Sequence, residues 1–406
     1  MIAFIFGPPL TFLPTFINIG VLSALLLTGI LYIIFPHRKI KISKRLLLAI
    51  ISLSSIFLLQ AIYSIILFSG KNYEFIEVSF RLVLFCLFAS VIAIIMNHNK
   101  NSIFLIFHYY LLFIILNSLV ILLEPVFPII TDFINDIIYD SSNLKKSSYV
   151  RYKGLVTFGG ASLSMFNALY VFILILIWSK INLYQKIFYI VFVPIMLLST
   201  FLIGRSGLII LPVIIFGYAI IKRKYIYFNY LAVIGLLLIS LSYCVHHKII
   251  DVPTLNKPLE QSLEPIINPL FTQEKEMAGT LKSLKKMMYL PQDKTIMILG
   301  EGTFSKHTPP EGNYKVSDSG FIRHIYGIGI IFSLLMWWLL FMLKVFLTFE
   351  RRYYYLLLLL ILFIMNIKEH FLFKAQFFKF FVIMFFIFVL IETTYKKVNK
   401  DTKNAV

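Results

Sequence analysis

The sequence predicts an all-α polytopic integral membrane protein, and its composition and the length of its apolar runs are the observations that predict it. Of the 406 residues, 59% are hydrophobic and only 14% are charged. A soluble chain of this length could not cover so much apolar surface. A helix needs about 20 consecutive apolar residues to cross a bilayer, and we expect about eleven such spans, within a range of roughly ten to twelve. Residues 1–406 then form a single transmembrane domain.

The predicted spans follow the apolar runs in chain order. They cover residues 17–35, 46–68, 78–96, 103–123, 155–178, 187–203, 208–221, 226–245, 321–343, 354–367 and 377–391. Residues 187–221 are interpreted as two spans, because a single helix of that length would be about 50 Å long. The break is expected at Gly204-Arg205-Ser206-Gly207, where two glycines allow the backbone to turn.

The net charge of +19 could indicate a nucleic-acid partner, but its distribution indicates membrane topology instead. When alternate connections are placed in the cytoplasm, those connections carry most of the excess lysine and arginine, as in 37–45 and 222–224. This is the positive-inside pattern. It places the N-terminus outside and the C-terminus inside, and no nucleic-acid partner is expected.

Two outward connections are long enough to hold structure of their own. The first periplasmic loop covers residues 124–153, and the large periplasmic loop covers residues 246–317. In the large loop, Leu281, Leu284 and Met288 recur at helical spacing with lysines between them. That pattern predicts an amphipathic helix that lies on the bilayer or caps a cavity.

Three arginines stand at the outward ends of predicted spans: Arg151, Arg205 and Arg323. A guanidinium keeps its proton at this depth, so it requires an anion, backbone carbonyls or a water-filled cavity. Each could simply snorkel to the interface, although the glycines on both sides of Arg205 argue against snorkelling there. Together the three could hold a di- or oligo-anion through forked hydrogen bonds, and Lys368 would add positive charge to the same cavity.

Three outward residues are candidates for acid or base chemistry. Asp318 either caps the helix that starts near Gly320, or holds Arg323, or contacts a substrate hydroxyl. His324 is a base, a hydrogen-bond donor or a packing residue, and Glu301 is the third candidate. The sequence contains no phosphate-binding loop, no zinc motif and no acidic DxD pair in an outward loop. We therefore expect chemistry that uses no metal and no cofactor.

With these residues the chain resembles the Wzy-type O-antigen polymerases, part of the O-antigen polymerase and ligase superfamily. The resemblance runs from about Arg151 to Lys374, and three short stretches carry it. They are Arg151-Tyr152-Lys153-Gly154-Leu155 with Gly159, then Gly204-Arg205-Ser206-Gly207-Leu208, and finally Leu299-Gly300-Glu301-Gly302 with Ser317-Asp318-Ser319-Gly320-Phe321-Ile322-Arg323 and Tyr326-Gly327-Ile328-Gly329-Ile330.

The resemblance implies a metal-independent glycosyltransferase of GT-C-like architecture in the bacterial inner membrane, with its active site facing the periplasm. Such an enzyme joins undecaprenyl-diphosphate-linked oligosaccharide repeat units, and it transfers the growing chain onto the next unit with release of undecaprenyl diphosphate. Its partners would be those lipid-linked oligosaccharides, membrane lipids, a chain-length regulator and a flippase. The residues that would bind the diphosphate are Arg205, Arg323, Arg151 and Lys368, and the catalytic candidates are Asp318, His324 and Glu301.

Two other functions remain open at this point. The ligase branch of the superfamily shares the topology, but no His-Asn pair occurs in residues 246–317, which favours the polymerase. A flippase or transporter of lipid-linked oligosaccharide would show two related halves. No internal repeat is evident in the sequence.

Overall fold

The structure is a computed structural model. It describes residues 42–68, 73–98, 102–137, 154–156, 160–204, 206–223, 239, 243–244, 247, 286–304, 316–373 and 375–403. The regular elements in these ranges are helices, as the fold class predicted. The chain forms two compact units: the first unit is Met1–Ser23 with Phe104–Lys282, and the second unit is Ala24–Ile103 with Ser283–Val406. The span predicted at 17–35, and most of the span at 226–245, lie outside the described residues.

The described helices follow the predicted apolar runs closely. In chain order they are α1 (Lys44–Phe68), α2 (Glu74–His98), α3 (Ser102–Leu123), α4 (Pro128–Ile137), α5 (Ala161–Ile177), α6 (Leu183–Ile203), α7 (Ser206–Lys222), α8 (Lys294–Leu299), α9 (Gly320–Met342), α10 (Phe349–Lys368) and α11 (Ala375–Lys403). Short 3-10 turns at Leu343–Phe346 and Phe371–Phe373 follow α9 and α10. Most of the long loops between these helices, including nearly all of the predicted amphipathic helix, lie outside the described residues.

Among the described residues, five segments have the length and the apolar composition that are needed to cross a membrane. They are Lys44–Phe68, Glu74–Ile95, Phe104–Leu123, Leu183–Ile203 and Gly320–Phe346. Large apolar side chains lie on the surfaces of these segments, among them Ile66 at 73% exposure and Leu334 at 64%. Long helices with apolar side chains on the protein surface suit a lipid environment. The fold is therefore compatible with a multi-pass membrane protein.

In the second unit, α11 is the central helix. Its residues from Phe377 to Leu390 are almost all buried, whichever face of the helix they occupy. Helices α1 and α2 pack against each other and against α11. The ring of Phe378 on α11 contacts Phe57 of α1 at 4.7 Å between centroids and Phe85 of α2 at 6.4 Å. A helix that is apolar on all sides is expected in such a central position.

In the first unit, α5 packs against both α6 and α7. Helix α6 ends at Ile203 and α7 begins at Ser206, which confirms the predicted break. Gly207 allows α7 to approach α5, because a Cβ atom at that position would lie 2.2 Å from the carbonyl oxygen of Ser164. The Gly207 N–H donates to Ser164 Oγ at 2.9 Å. This glycine is therefore required by packing, in addition to any role beside Arg205.

Helix α9 differs from the uninterrupted span that the sequence predicts, because it folds back at Gly329. The φ and ψ angles of Gly329 are 72° and 168°, a region open essentially to glycine alone. The rings of Phe321 and Trp337 lie 5.7 Å apart, whereas a straight helix would separate two residues sixteen positions apart by roughly 24 Å. Both rings contact Phe363 of α10, at 4.7 and 5.3 Å. Helix α9 thus consists of a short arm before Gly329 and a longer arm after it.

Candidate functional site

The start of the short arm of α9 carries an arginine–carboxylate pair in the second unit. Arg323 Nη2 lies 3.5 Å from Asp318 Oδ1, and Arg323 Nε donates to the Ser317 carbonyl at 2.7 Å. The Arg323 side chain is only 12% exposed, whereas Asp318 is 55% exposed. The helix N-cap is Ser319. Of the roles that the sequence left open for Asp318, the structure therefore favours pairing with Arg323 over capping.

Arg323 is surrounded by carboxylates. Besides Asp318, both Glu369 and Glu74 attract it electrostatically, and Glu369 directly follows the last residue of α10. The guanidinium carbon also lies 5.7 Å from the centre of the Phe304 ring, in a cation–π contact. Burial disfavours the guanidinium charge, and these carboxylates offset part of that effect. The contacts with Asp318 and with the Ser317 carbonyl favour a role for Arg323 in fixing Asp318.

Tyr289 adds a neutral phenol beside this pair. Its hydroxyl oxygen accepts a hydrogen bond from the Ser317 N–H at 2.8 Å. Burial raises the pKa of Tyr289, and nearby Asp318 raises it further, while the Ser317 hydrogen bond and Arg323 oppose the shift. The Tyr289 ring packs edge-on against Tyr326, with 6.3 Å between centroids. Tyr326 itself is buried. A carboxylate, a guanidinium and the half-buried Tyr289 ring are groups that can hold a polyhydroxylated ligand.

A main-chain clasp holds the end of the large loop against α9. The N–H groups of Glu301 and Gly302 donate to the carbonyls of Tyr326 at 2.8 Å and Gly327 at 3.1 Å. The bend at Gly329 releases these carbonyls from the helical pattern. A Cβ atom on Gly329 would lie 2.0 Å from the Ile298 carbonyl oxygen, so the close approach requires glycine. We call residues 298–304 the clasp segment.

The clasp segment places two further groups near the pair. The Phe304 N–H donates to Glu74 Oε2 at 3.0 Å, which ties the clasp segment to the first turn of α2. The Glu301 carboxylate accepts a hydrogen bond from Thr303 Oγ1 at 2.5 Å. Glu301 is attached through its own N–H to Tyr326, the partner ring of Tyr289. Glu301 is thus linked to Tyr289 only through Tyr326, and its assignment as an acid or base stays a prediction.

His324 does not join this cluster. Its ring is fully buried and lies 4.2 Å from the Phe373 ring, with Phe321 and Trp337 close by. Among the residues that the structure describes, neither ring nitrogen has a hydrogen-bond partner. This environment fits the packing role that the sequence left open. Lys368 is half-buried as the last residue of α10, directly before Glu369.

Arg205 and Arg151 lie outside the described residues, and both fall within the first unit. The structure does describe residues close to each of them in the chain. Gly204 follows α6 directly, and near Arg151 the N–H of Gly154 donates to Glu124 Oε1 at 2.7 Å. The N–H of Leu155 donates to Asn117 Oδ1 at 2.7 Å. The assignment of both arginines to an anion stays a prediction.

The sequence did not single out Glu74, Glu369 or Tyr289. Each stands close to the end of an apolar run on the outward side, which is the signal that could have found them. Comparison with protein-family models, with characterised proteins and with solved structures finds no match to this chain. The fold and the site thus define a helical chain of multi-pass type with a carboxylate–arginine–tyrosine cluster at the start of α9.

Proposed function

We propose that the chain is a membrane glycosyltransferase that polymerises lipid-linked oligosaccharide repeat units, of the Wzy-type O-antigen polymerase kind. The observation that carries the proposal is Asp318, an exposed carboxylate that Arg323 fixes at 3.5 Å beside the neutral phenol of Tyr289. Such a carboxylate suits the activation of a sugar hydroxyl. The resemblance in sequence supports the same reaction.

In the proposed reaction, a hydroxyl of the incoming lipid-linked unit attacks the anomeric carbon of the growing chain. The bond between that carbon and the diphosphate breaks, and undecaprenyl diphosphate leaves with the bonding electron pair. The hydroxyl proton passes to Asp318, the general base. Arg323 keeps the carboxylate in place, and the half-buried Tyr289 ring offers an apolar face to the sugar. Glu301 is the second carboxylate available for binding hydroxyl groups.

The diphosphate is assigned to other residues. Because Arg323 already contacts Asp318 and the Ser317 carbonyl, we keep Arg205, Arg151 and Lys368 as the cations that neutralise the leaving group. The proposal also includes about eleven spans in a GT-C-like arrangement, in the bacterial inner membrane with the site on the periplasmic face. The positive-inside distribution of lysine and arginine supports that orientation.

Chain extension by the purified full-length protein tests this function. The protein is reconstituted with undecaprenyl-diphosphate-linked repeat units, and the products are resolved by length. We expect a ladder of longer glycans, and we expect Asp318→Asn to slow its formation by about 10²- to 10⁴-fold, the range for loss of a general base. Asp132→Asn, which removes an exposed carboxylate of α4 in the first unit, is the matched control and should leave the ladder unchanged.

A transporter of the same lipid-linked oligosaccharide is the second candidate. The bend of α9 at Gly329 favours it, because transporters often place interrupted helices at their binding sites. In vesicles, a transporter would move the labelled repeat unit across the bilayer without lengthening the glycan. That result, together with no ladder from the wild-type protein, would contradict the polymerase.

A further inference from the structure

Asp318 stands between two buried serines at the start of α9. The Asp318 side chain is 55% exposed, whereas Ser317 and Ser319 are each 0% exposed. The Ser319 carbonyl accepts a hydrogen bond from the Arg323 N–H at 3.1 Å. Because the residues on both sides of Asp318 are fixed in the protein, the position of its carboxylate depends on the groups that hold those two serines.

Ser317 has hydrogen bonds at its N–H group, its carbonyl group and its hydroxyl group. Its Oγ atom donates to the Met287 carbonyl at 2.6 Å and accepts from the Ser319 N–H at 3.1 Å. Its N–H donates to the Tyr289 hydroxyl at 2.8 Å, and its carbonyl accepts from Arg323 Nε at 2.7 Å. These bonds join the end of the large loop, the start of α9 and the arginine of the site at one buried residue.

The distances indicate that the position of the base runs through Ser317. Arg323 Nη2 lies 3.5 Å from Asp318 Oδ1, which is at the outer limit for a hydrogen bond, while Arg323 Nε lies 2.7 Å from the Ser317 carbonyl. The shorter contact is the stronger one, so Ser317 holds the guanidinium in the place from which it reaches Asp318. A shift of about 1 Å in a catalytic group can lower a rate by about 10²-fold.

We propose that Ser317 is a positioning residue of the site and couples the docking of residues 287–289 to the orientation of Asp318. The inference rests on the proposed function, in which Asp318 is the general base. Ser317 is fully buried, so it does not contact the substrate itself. Its bonds to Met287 and Tyr289 fix the backbone that leads into Asp318, and the site is therefore complete only with this end of the large loop in place.

The kinetics of chain extension by the full-length protein test this role. Ser317→Ala removes the hydroxyl and leaves the main-chain groups of residue 317 in place. We expect kcat to fall by about tenfold, the effect of one or two hydrogen bonds. We expect KM to stay within about twofold of the wild-type value, because residue 317 does not touch the substrate.

Ser90→Ala is the matched control. Ser90 lies in α2 of the same unit and is 7% exposed, and its Oγ atom donates to the Leu87 carbonyl at 2.6 Å. This variant removes a hydroxyl of similar burial with the same kind of bond, and it should leave kcat and KM unchanged. A Ser317→Ala protein with the kinetics of Ser90→Ala would overturn the inference, although the polymerase function would stand.

A double-mutant cycle separates positioning from a general structural effect. In the Asp318→Asn background, Ser317→Ala should lower the rate by less than about twofold, because the base through which Ser317 acts is already lost. A full additional loss in that background would show that Ser317 does not act through Asp318. A raised KM with an unchanged kcat would assign Ser317 to substrate binding, and either result would overturn the proposal.

Tyr289→Phe keeps the test decisive if Ser317→Ala does not fold. It removes the hydroxyl that accepts from the Ser317 N–H and retains the ring. We expect kcat to fall by about fivefold with KM unchanged, and we expect little further loss in the Asp318→Asn background. Additive losses would overturn the coupling between residues 287–289 and the base. A wild-type protein that forms no glycan ladder would contradict the proposed function and, with it, this inference.

Discussion

Two arginines in the second unit have different electrostatic surroundings. Arg323 lies near three carboxylates, with Asp318 at 3.5 Å and with Glu74 and Glu369 in electrostatic range. Arg81 is attracted by one carboxylate, Glu77, and lies near a second cation, Lys379. An arginine with several carboxylates around it is suited to positioning one of them, so the charges near an arginine indicate its role better than residue type does.

The largest expected effect comes from Gly329→Ala, which should disrupt one site and spare the other. The new Cβ atom would lie 2.0 Å from the Ile298 carbonyl oxygen, at backbone angles that alanine does not adopt. We expect a loss of about 3 kcal/mol or more in local stability, and no measurable chain extension.

Gly217→Ala is the control for that experiment. Gly217 lies inside α7, where alanine is ordinarily favoured over glycine. Both variants are compared by glycan ladder and by protease sensitivity of the large loop. A Gly329→Ala protein with a normal ladder would show that the bend of α9 is not needed to hold the Asp318 cluster.

Substitution of Arg205 should have the next largest effect, and it tests whether this arginine binds the diphosphate directly. If it binds the diphosphate through a forked contact, Arg205→Ala and Arg205→Lys should both lower chain extension by about 10²-fold or more. The measurement is the ladder at equal amounts of protein. A fully active lysine variant would argue against the forked contact and would indicate that Arg205 acts only through its positive charge.

Removal of the charge of Arg323 should lower stability. Arg323→Gln leaves Asp318, Glu74 and Glu369 without their shared cation, and we expect a loss of about 1–3 kcal/mol after allowance for the exposure of Asp318. Lys186→Gln is the control, because Lys186 also lies over an aromatic ring, that of Trp178 at 5.3 Å. Both variants are unfolded thermally side by side. Equal stability of the two variants would show that Arg323 does not hold these carboxylates.

The smallest effect concerns pH. Burial raises the pKa of Tyr289 above its ordinary value of 10.0. A raised folded-state pKa contributes stability that is present below pH 10 and is lost as pH rises beyond it. The wild-type protein should therefore lose its stability advantage over Tyr289→Phe as the pH rises above about 10, measured by thermal unfolding. A constant difference between the two proteins across this range would show that the phenol titrates normally.

Much of the fold follows from the sequence. The described helices lie close to the predicted apolar runs, and the break between α6 and α7 was predicted from length and from Gly204. The bend at Gly329 was missed because its cause is not local. It depends on carbonyls of α9 that bond to Glu301 and Gly302, in a segment about 25 residues earlier in the chain. An apolar run that contains glycine gives no sign of such a partner.

The site was predictable only where its residues are neighbours in the chain. Asp318 and Arg323 are five residues apart, so their pairing could be proposed from sequence. Glu74 and Glu369 reach Arg323 from other helices, and spacing alone does not reveal that. His324 follows Arg323 directly, but helical geometry turns it into the aromatic core. From the sequence, Lys379 of α11 is predicted only as part of the apolar span 377–391.

The clasp has a consequence for altering the proposed polymerase. Glu301 and Gly302 dock through their main-chain N–H groups, and the Phe304 ring anchors the segment among buried aromatic rings. Glycine is required at positions 300 and 329, where a Cβ atom would meet backbone. The side chains at positions 301 and 303 have neither of these roles. A library varied at those two positions would present new side chains next to Tyr326 on an unchanged scaffold, so this segment is the place to begin changing the sugar specificity of the proposed polymerase.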